Sequence, residues 1–126
     1  MSFPDIEALL VGWLQGQFPA ARVVTETPAD LTGNLPLVKV RRTSGDDDNV
    51  RLDRPVVDLD VFDTDAQAAS ALSAQIRDAL LYTLPYAMPV GGTVTGVYTV
   101  VGPRWLPYDD TSVRRYQASY RLFAHT

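Results

Sequence analysis

Arg54-Pro55-Val56-Val57-Asp58-Leu59-Asp60-Val61-Phe62 alternates apolar and charged side chains, with Val57, Leu59 and Val61 on one face and Asp58 and Asp60 on the other. A period of two sustained in this way marks a half-buried strand. The residues that follow change period. Thr64 can cap a helix, Asp65 sits in its first turn, and Ala69, Leu72, Ile76, Ala79 and Leu80 form one apolar stripe over a helix at Ala68–Leu84, stopped by Pro85. Strand and helix each carry one apolar face, and such faces bury each other.

Working outward, a first helix is expected from Pro4 to Gln17. Pro4 suits the first turn, Asp5 and Glu7 favour the positive end of the dipole, and Ile6, Leu9, Leu10, Trp13 and Leu14 make its stripe. Arg22–Thr27 reads as a short strand closed by Pro28. A loop through Asp30, Gly33 and Asn34 leads to a second strand at Leu35–Thr43, with Val38 and Val40 on one face and Lys39 and Arg41 on the other. Ser44-Gly45-Asp46-Asp47-Asp48-Asn49 reads as a turn or exposed loop, being rich in turn formers and adjacent like charges. After a turn at Tyr86–Gly92, Thr93–Val101 is rich in β-branched residues and reads as a strand. Gly102–Asp110, broken by two prolines, reads as a connection. Val113–His125 closes the chain as a strand, with Tyr116, Ala118, Tyr120, Leu122 and Ala124 on one face and Arg115, Gln117, Ser119 and Arg121 on the other.

The order is α-β-β-β-α-β-β, an α+β domain spanning residues 1–126, with a mostly antiparallel sheet and two helices packed on one face. The uncovered face has a charge pattern that bears on strand order. Opposite charges on neighbouring strands stabilise by ~0.2–1 kcal/mol and like charges repel. Lys39 and Arg41 on one strand, Asp58 and Asp60 on the next, and Arg115 and Arg121 on the last place the third strand between the second and the fifth.

Composition limits the function. The chain has 126 residues, 46% of them hydrophobic, a net charge of −4 and no cysteine. This excludes a disordered chain, disulfides, thiolate zinc sites and thiol nucleophiles, and it fits synthesis in a reducing cytosol. Net negative charge argues against nucleic acid as the main partner. Met1-Ser2-Phe3-Pro4-Asp5 has no positive region, so no signal peptide is expected, and no apolar run approaches the ~20 residues of a membrane span.

A search for chemistry finds little. His125, the one histidine, lies next to the end of the sequence, a poor position for a base. There is no G-x-S-x-G elbow. Asp46-Asp47-Asp48 lacks the spacing of a cation loop and reads as a solvated loop. Asp58 and Asp60 share a face, as an acid/base pair would, but their arginine neighbours favour an ion-pair ladder. Gly91-Gly92-Thr93-Val94-Thr95-Gly96 lacks the phosphate-loop lysine and leads into a strand. Arg41-Arg42 and Arg114-Arg115 split across sheet faces. Trp13 belongs to the first helix's apolar stripe. Trp105, in Pro103-Arg104-Trp105-Leu106-Pro107-Tyr108, has no periodic role; it either folds onto the domain edge or anchors another subunit.

Three stretches carry a resemblance over nearly the whole chain: the helix Pro4–Gln17, the run Val56–Asp63 leading into the helix Ala68–Leu84, and the strand Arg115–Leu122. In size, order and texture the chain resembles the tail terminator (tail completion) proteins of long-tailed bacteriophages. The resemblance implies a non-enzymatic structural protein without cofactor or metal. It implies a ring, usually a hexamer, that docks on the last tail-tube ring, stops tube polymerisation and presents the surface that a head-side connector meets. Such a protein is assembled in the host cytoplasm into the neck of the virion, with DNA passing through its lumen and no membrane contact. A ring closed head to tail needs two different complementary patches per subunit. The candidates are the aspartate loop and the arginines after it (Asp46, Asp47, Asp48, Arg51, Arg54), the charged sheet face (Asp58, Asp60, Arg115, Arg121) and the aromatic loop (Trp105, Tyr108). Residues 1–63 hold eleven acids and six bases, residues 64–126 four acids and five bases, an asymmetry that could orient subunits.

Two other readings stay open on sequence alone. Another neck component, such as a head-closure or connector protein, shares this size and acidity. A small ligand-binding α+β domain would use a cleft near Tyr86, Trp105 and Tyr108.

Overall fold

The computed structural model describes residues 3–47 and 51–125. Helix α1 (Ile6–Gln17) starts where the Asp5 carboxylate accepts the Ala8 N–H at 3.2 Å, and it buries Ile6, Leu9, Leu10 and Leu14. Its far end is tied down by Gln15, whose amide donates to the Ala21 carbonyl at 2.7 Å and accepts from the Val23 N–H at 3.0 Å. Strand β1 (Arg22–Val24) follows, then β2 (Leu37–Asp47), β3 (Leu52–Asp63), helix α2 (Ala66–Asp78), β4 (Thr93–Trp105) and β5 (Arg114–His125). Beyond α2 the chain widens into a π-type turn over Ala79–Thr83 and tightens over Leu84–Tyr86, which keeps Leu80 and Leu84 inside.

The five strands form one sheet in the order β1-β2-β3-β5-β4. Pairing is antiparallel except for β1, which runs parallel to β2 over three residues. β3 therefore lies between β2 and β5, the expected neighbours. The expected α+β class and α-β-β-β-α-β-β order are those observed.

Both helices lie on the face that carries Val38, Val40, Val57, Leu59, Val61, Ala118, Tyr120, Leu122 and Ala124, and these residues make the main core with α1 and α2. A smaller core forms at one end of the opposite face, where Leu31, Leu37, Phe62 and Val113 meet Leu35 and Tyr108. Trp13, expected in the stripe, is half-buried and packs on the core from its margin.

Several boundaries differ from the sequence reading, each for a physical reason. Ser44–Asp47 are strand, not loop: Ser44, Gly45, Asp46 and Asp47 pair with Val56, Pro55, Arg54 and Asp53. Gly45 has φ of +107°, and a side chain there would collide with the Arg54 carbonyl, so a glycine replaces the bulkier residue a hairpin strand would otherwise carry. Asp48 and Asn49, the rest of that expected loop, lie outside the described residues. Gly102–Trp105 extend β4 in spite of Pro103, because β4 is an edge strand and a missing N–H is tolerated there. Asp65, not Thr64, caps α2, accepting the Gln67 N–H at 3.3 Å. β1 ends at Val24, three residues before the expected Thr27.

Candidate functional site

The face of the sheet away from the helices presents the charged rows. Lys39 stands opposite Asp60, and Arg41 opposite Asp58. On the other side of β3 the partners are polar rather than basic. Gln117 Nε2 donates to Asp60 Oδ1 at 2.7 Å, and Ser119 Oγ donates to Asp58 Oδ1 at 2.6 Å. Arg115 reaches Asp60 only at 4.0 Å. Arg121, expected in the ladder, stands opposite Val56 and Tyr98 instead, two residues beyond Ser119, which takes the place beside Asp58. Lys39, Arg41, Thr43, Asp58, Asp60 and Gln117 line a hollow of about 200 Å³. Each aspartate thus accepts a hydrogen bond from β5 and faces a cation on β2, which makes this row a pattern of paired side chains.

Arg115 has a second task. It donates to the Leu106 carbonyl at 3.4 Å and the Pro107 carbonyl at 2.9 Å, and its guanidinium lies 5.1 Å from the centre of the Tyr108 ring. Tyr108 in turn meets Phe62 edge to face at 5.1 Å. Tyr108 and Arg115, both candidates for partner contact, thus fold the 106–108 loop onto the smaller core. Trp105 does not join them inside: it is 56% exposed. Trp105 and Tyr108 line a shallow hollow of about 250 Å³ with Pro107, Thr111, Val113 and Arg114, and Tyr86 is not among its walls.

At the hairpin, Arg54 Nη2 meets Asp46 Oδ1 at 3.1 Å, and Asp47 is exposed beside them. Arg51 makes contacts of its own, and Asp48 lies outside the described residues. The hairpin's strongest contact went unnoticed in the sequence. Arg42 grips Asp53 through Nη1–Oδ2 at 2.6 Å and Nη2–Oδ1 at 3.0 Å, and Asp53 is buried. The signal was available, since Asp53 precedes Pro55 and Val57 at a period of two on the helix-covered face. The Arg42 N–H also donates to the Glu7 carboxylate at 2.7 Å, which ties α1 to this strand.

A further surface belongs to none of the candidates except Trp105. Among the described residues, every exposed large hydrophobic side chain falls between positions 82 and 105: Tyr82, Tyr86, Met88, Val90, Tyr98, Val100, Val101 and Trp105. Residues 79–108 contain no acid and one base, Arg104. Tyr98 rests edge to face on Phe123 at 5.4 Å, and Tyr82 shares a surface hollow with Pro103 of β4. The sequence shows the lack of charge but not which of these side chains stay outside.

Two groups have shifted acidities. Burial pushes the Tyr120 phenol up to about 12, with Arg77 opposing the shift and Asp78 adding to it. Hydrogen bonds from the Ser112 hydroxyl and N–H hold Asp110 below the usual carboxylate range. Neither lies in a cleft. Among the described residues no three His, Cys, Asp or Glu side chains gather to hold a metal ion, and no helix is long and apolar enough to cross a membrane. His125 bonds Thr95 Oγ1 at 2.7 Å across the sheet edge.

The family model for phage tail termination proteins matches residues 2–125. A chain in the virion of a native gene transfer agent particle superposes with a TM-score of 0.59 at 18% identity, covering 90% of this chain and 84% of that one, a likeness of fold. No curated protein sequence matches.

Proposed function

The chain belongs to the phage tail termination protein family and is a structural protein of the virion tail, and from that premise we propose that it closes the tail tube as a ring of copies. In this reading the ring, a hexamer, sits on the last tube ring and stops further addition of tube subunits. Its other side receives a head-side connector, and DNA crosses its lumen. Its place is the neck, and it assembles there in the host cytoplasm.

The match of the family model across residues 2–125 carries this reading. The geometry supports it. A ring that only joins other parts needs surfaces, not a reaction centre, and Asp58 and Asp60 are engaged in a fixed network of hydrogen bonds. A net charge of −4 suits a lumen that must not retain DNA.

Particles assembled without this chain test the proposal. The expected products are tails of unregulated length with no heads attached, seen by electron microscopy. Tails of normal length joined to heads would refute it. Normal-length tails that merely fail to join heads would favour a connector role instead.

A further inference from the structure

β4 and the segment before it expose eight large apolar side chains at one edge of the sheet, Tyr98 and Val101 on its open face and the others around that edge. Side chains of this size expose on the order of 100 Å² each, and a stable interface buries ~800 Å² per partner. Tyr86, Met88 and Val90, which alternate along a proline-broken segment, are 87%, 97% and 94% exposed. Burying one such side chain is worth ~1.5–3 kcal/mol, so leaving them in water has a cost that a partner removes.

We infer that this surface, residues 79–105 on the β4 side of the sheet, is where one copy of the chain packs against the next. This rests on the ring reading and names the contact within it. Charge selects the occupant. Each copy carries a net −4, so two copies repel wherever acidic surfaces meet. Residues 79–108 are the longest stretch without an acid. Contacts between copies are more apolar than contacts between different proteins, which rely more on complementary charge. The Asp and Arg rows of the open face and the hairpin suit unlike partners, and the acid-poor β4 stretch suits a like one.

The contact is made by side chains, not by continuing the sheet. β4 carries Pro103 and three register shifts against β5, which break the row of backbone groups an added strand would need. On the far edge of the sheet, β1 covers only Leu37–Lys39 of β2, and Glu7 takes the Arg42 N–H beyond it.

Benzoylphenylalanine in place of Tyr82 or of Val100, in assembled particles, tests this directly. On irradiation the expected product is a cross-linked pair of chains, twice 13.9 kDa. Cross-links only to other virion proteins, or none, would overturn the inference. A second variant, Tyr82→Lys with Val100→Lys, is expected to keep its fold by circular dichroism while its incorporation into particles falls at least tenfold. Incorporation at the unmodified level would also overturn it. Electron microscopy of the same particles separates the two claims. A ring of this chain whose copies do not cross-link refutes the surface and leaves the ring standing. Absence of any ring refutes both.

Discussion

Arg42 and Asp53 meet as a two-pronged ion pair across the β2–β3 hairpin, with Asp53 3% exposed and the Arg42 side chain a third exposed. The two partners are therefore unequal. Removing the arginine strands a buried carboxylate, whereas removing the aspartate leaves a cation that can still reach water. Arg42→Ala is expected to cost about 2–4 kcal/mol, and Asp53→Ala less. The double variant should cost less than the sum of the two. Urea denaturation of the three variants checks the order.

Tyr120 makes stability depend on alkaline pH. Its phenol is held at about 12 in the folded chain, against ~10 unfolded. The stabilisation is fully present below pH 10 and is lost as the pH rises through 12, because the unfolded chain releases this proton first. Denaturation midpoints should fall across that window, and Tyr120→Phe should flatten the fall.

Leu10 and Leu122 are fully buried in the main core. Either one changed to Ala is expected to cost about 2–5 kcal/mol. A thermal melt reads the loss directly.

The hairpin aspartates should behave in the opposite way. Asp46 and Asp47 are exposed, and the Asp46–Arg54 pair lies at the surface. Replacing Asp46, Asp47 and Asp48 by Ser is expected to change stability by no more than about 0.5–1 kcal/mol while weakening the docking of tails. Unchanged tail joining by electron microscopy would remove the hairpin from the docking surface.

The alternating run at Val57–Phe62 and the stripe of α2 were legible because burial on one face leaves a periodic trace in the residues. The β2–β3 neighbourhood was legible because Lys39 and Arg41 pair with Asp60 and Asp58, whereas β5 lies beside β3 with Gln117 and Ser119, not Arg121, against those aspartates. The hairpin was not legible. Ser44, Gly45, Asp46 and Asp47 have the composition of a turn, yet they pair with Val56, Pro55, Arg54 and Asp53, and Gly45 leaves room for the Arg54 carbonyl. Likewise Pro103 signals a break in a central strand and is harmless at the edge where β4 lies. Among the candidate residues, Asp58 and Asp60 fall on one face as expected. Tyr108 and Arg115 turn inward because the 106–108 loop folds back on Phe62, a contact between distant segments that no local pattern records. Tyr86, Met88 and Val90 fall in the expected turn at Tyr86–Gly92, and a turn pattern does not tell which of its side chains stay outside.

The central claim concerns where this chain sits and how many copies sit there. Electron cryomicroscopy of intact particles at the junction of tail tube and head measures both. The account requires a closed ring of this chain on the last tube ring, with the β4 side of each subunit covered by its neighbour. A junction built without this chain, or with single copies that do not touch one another, would contradict it.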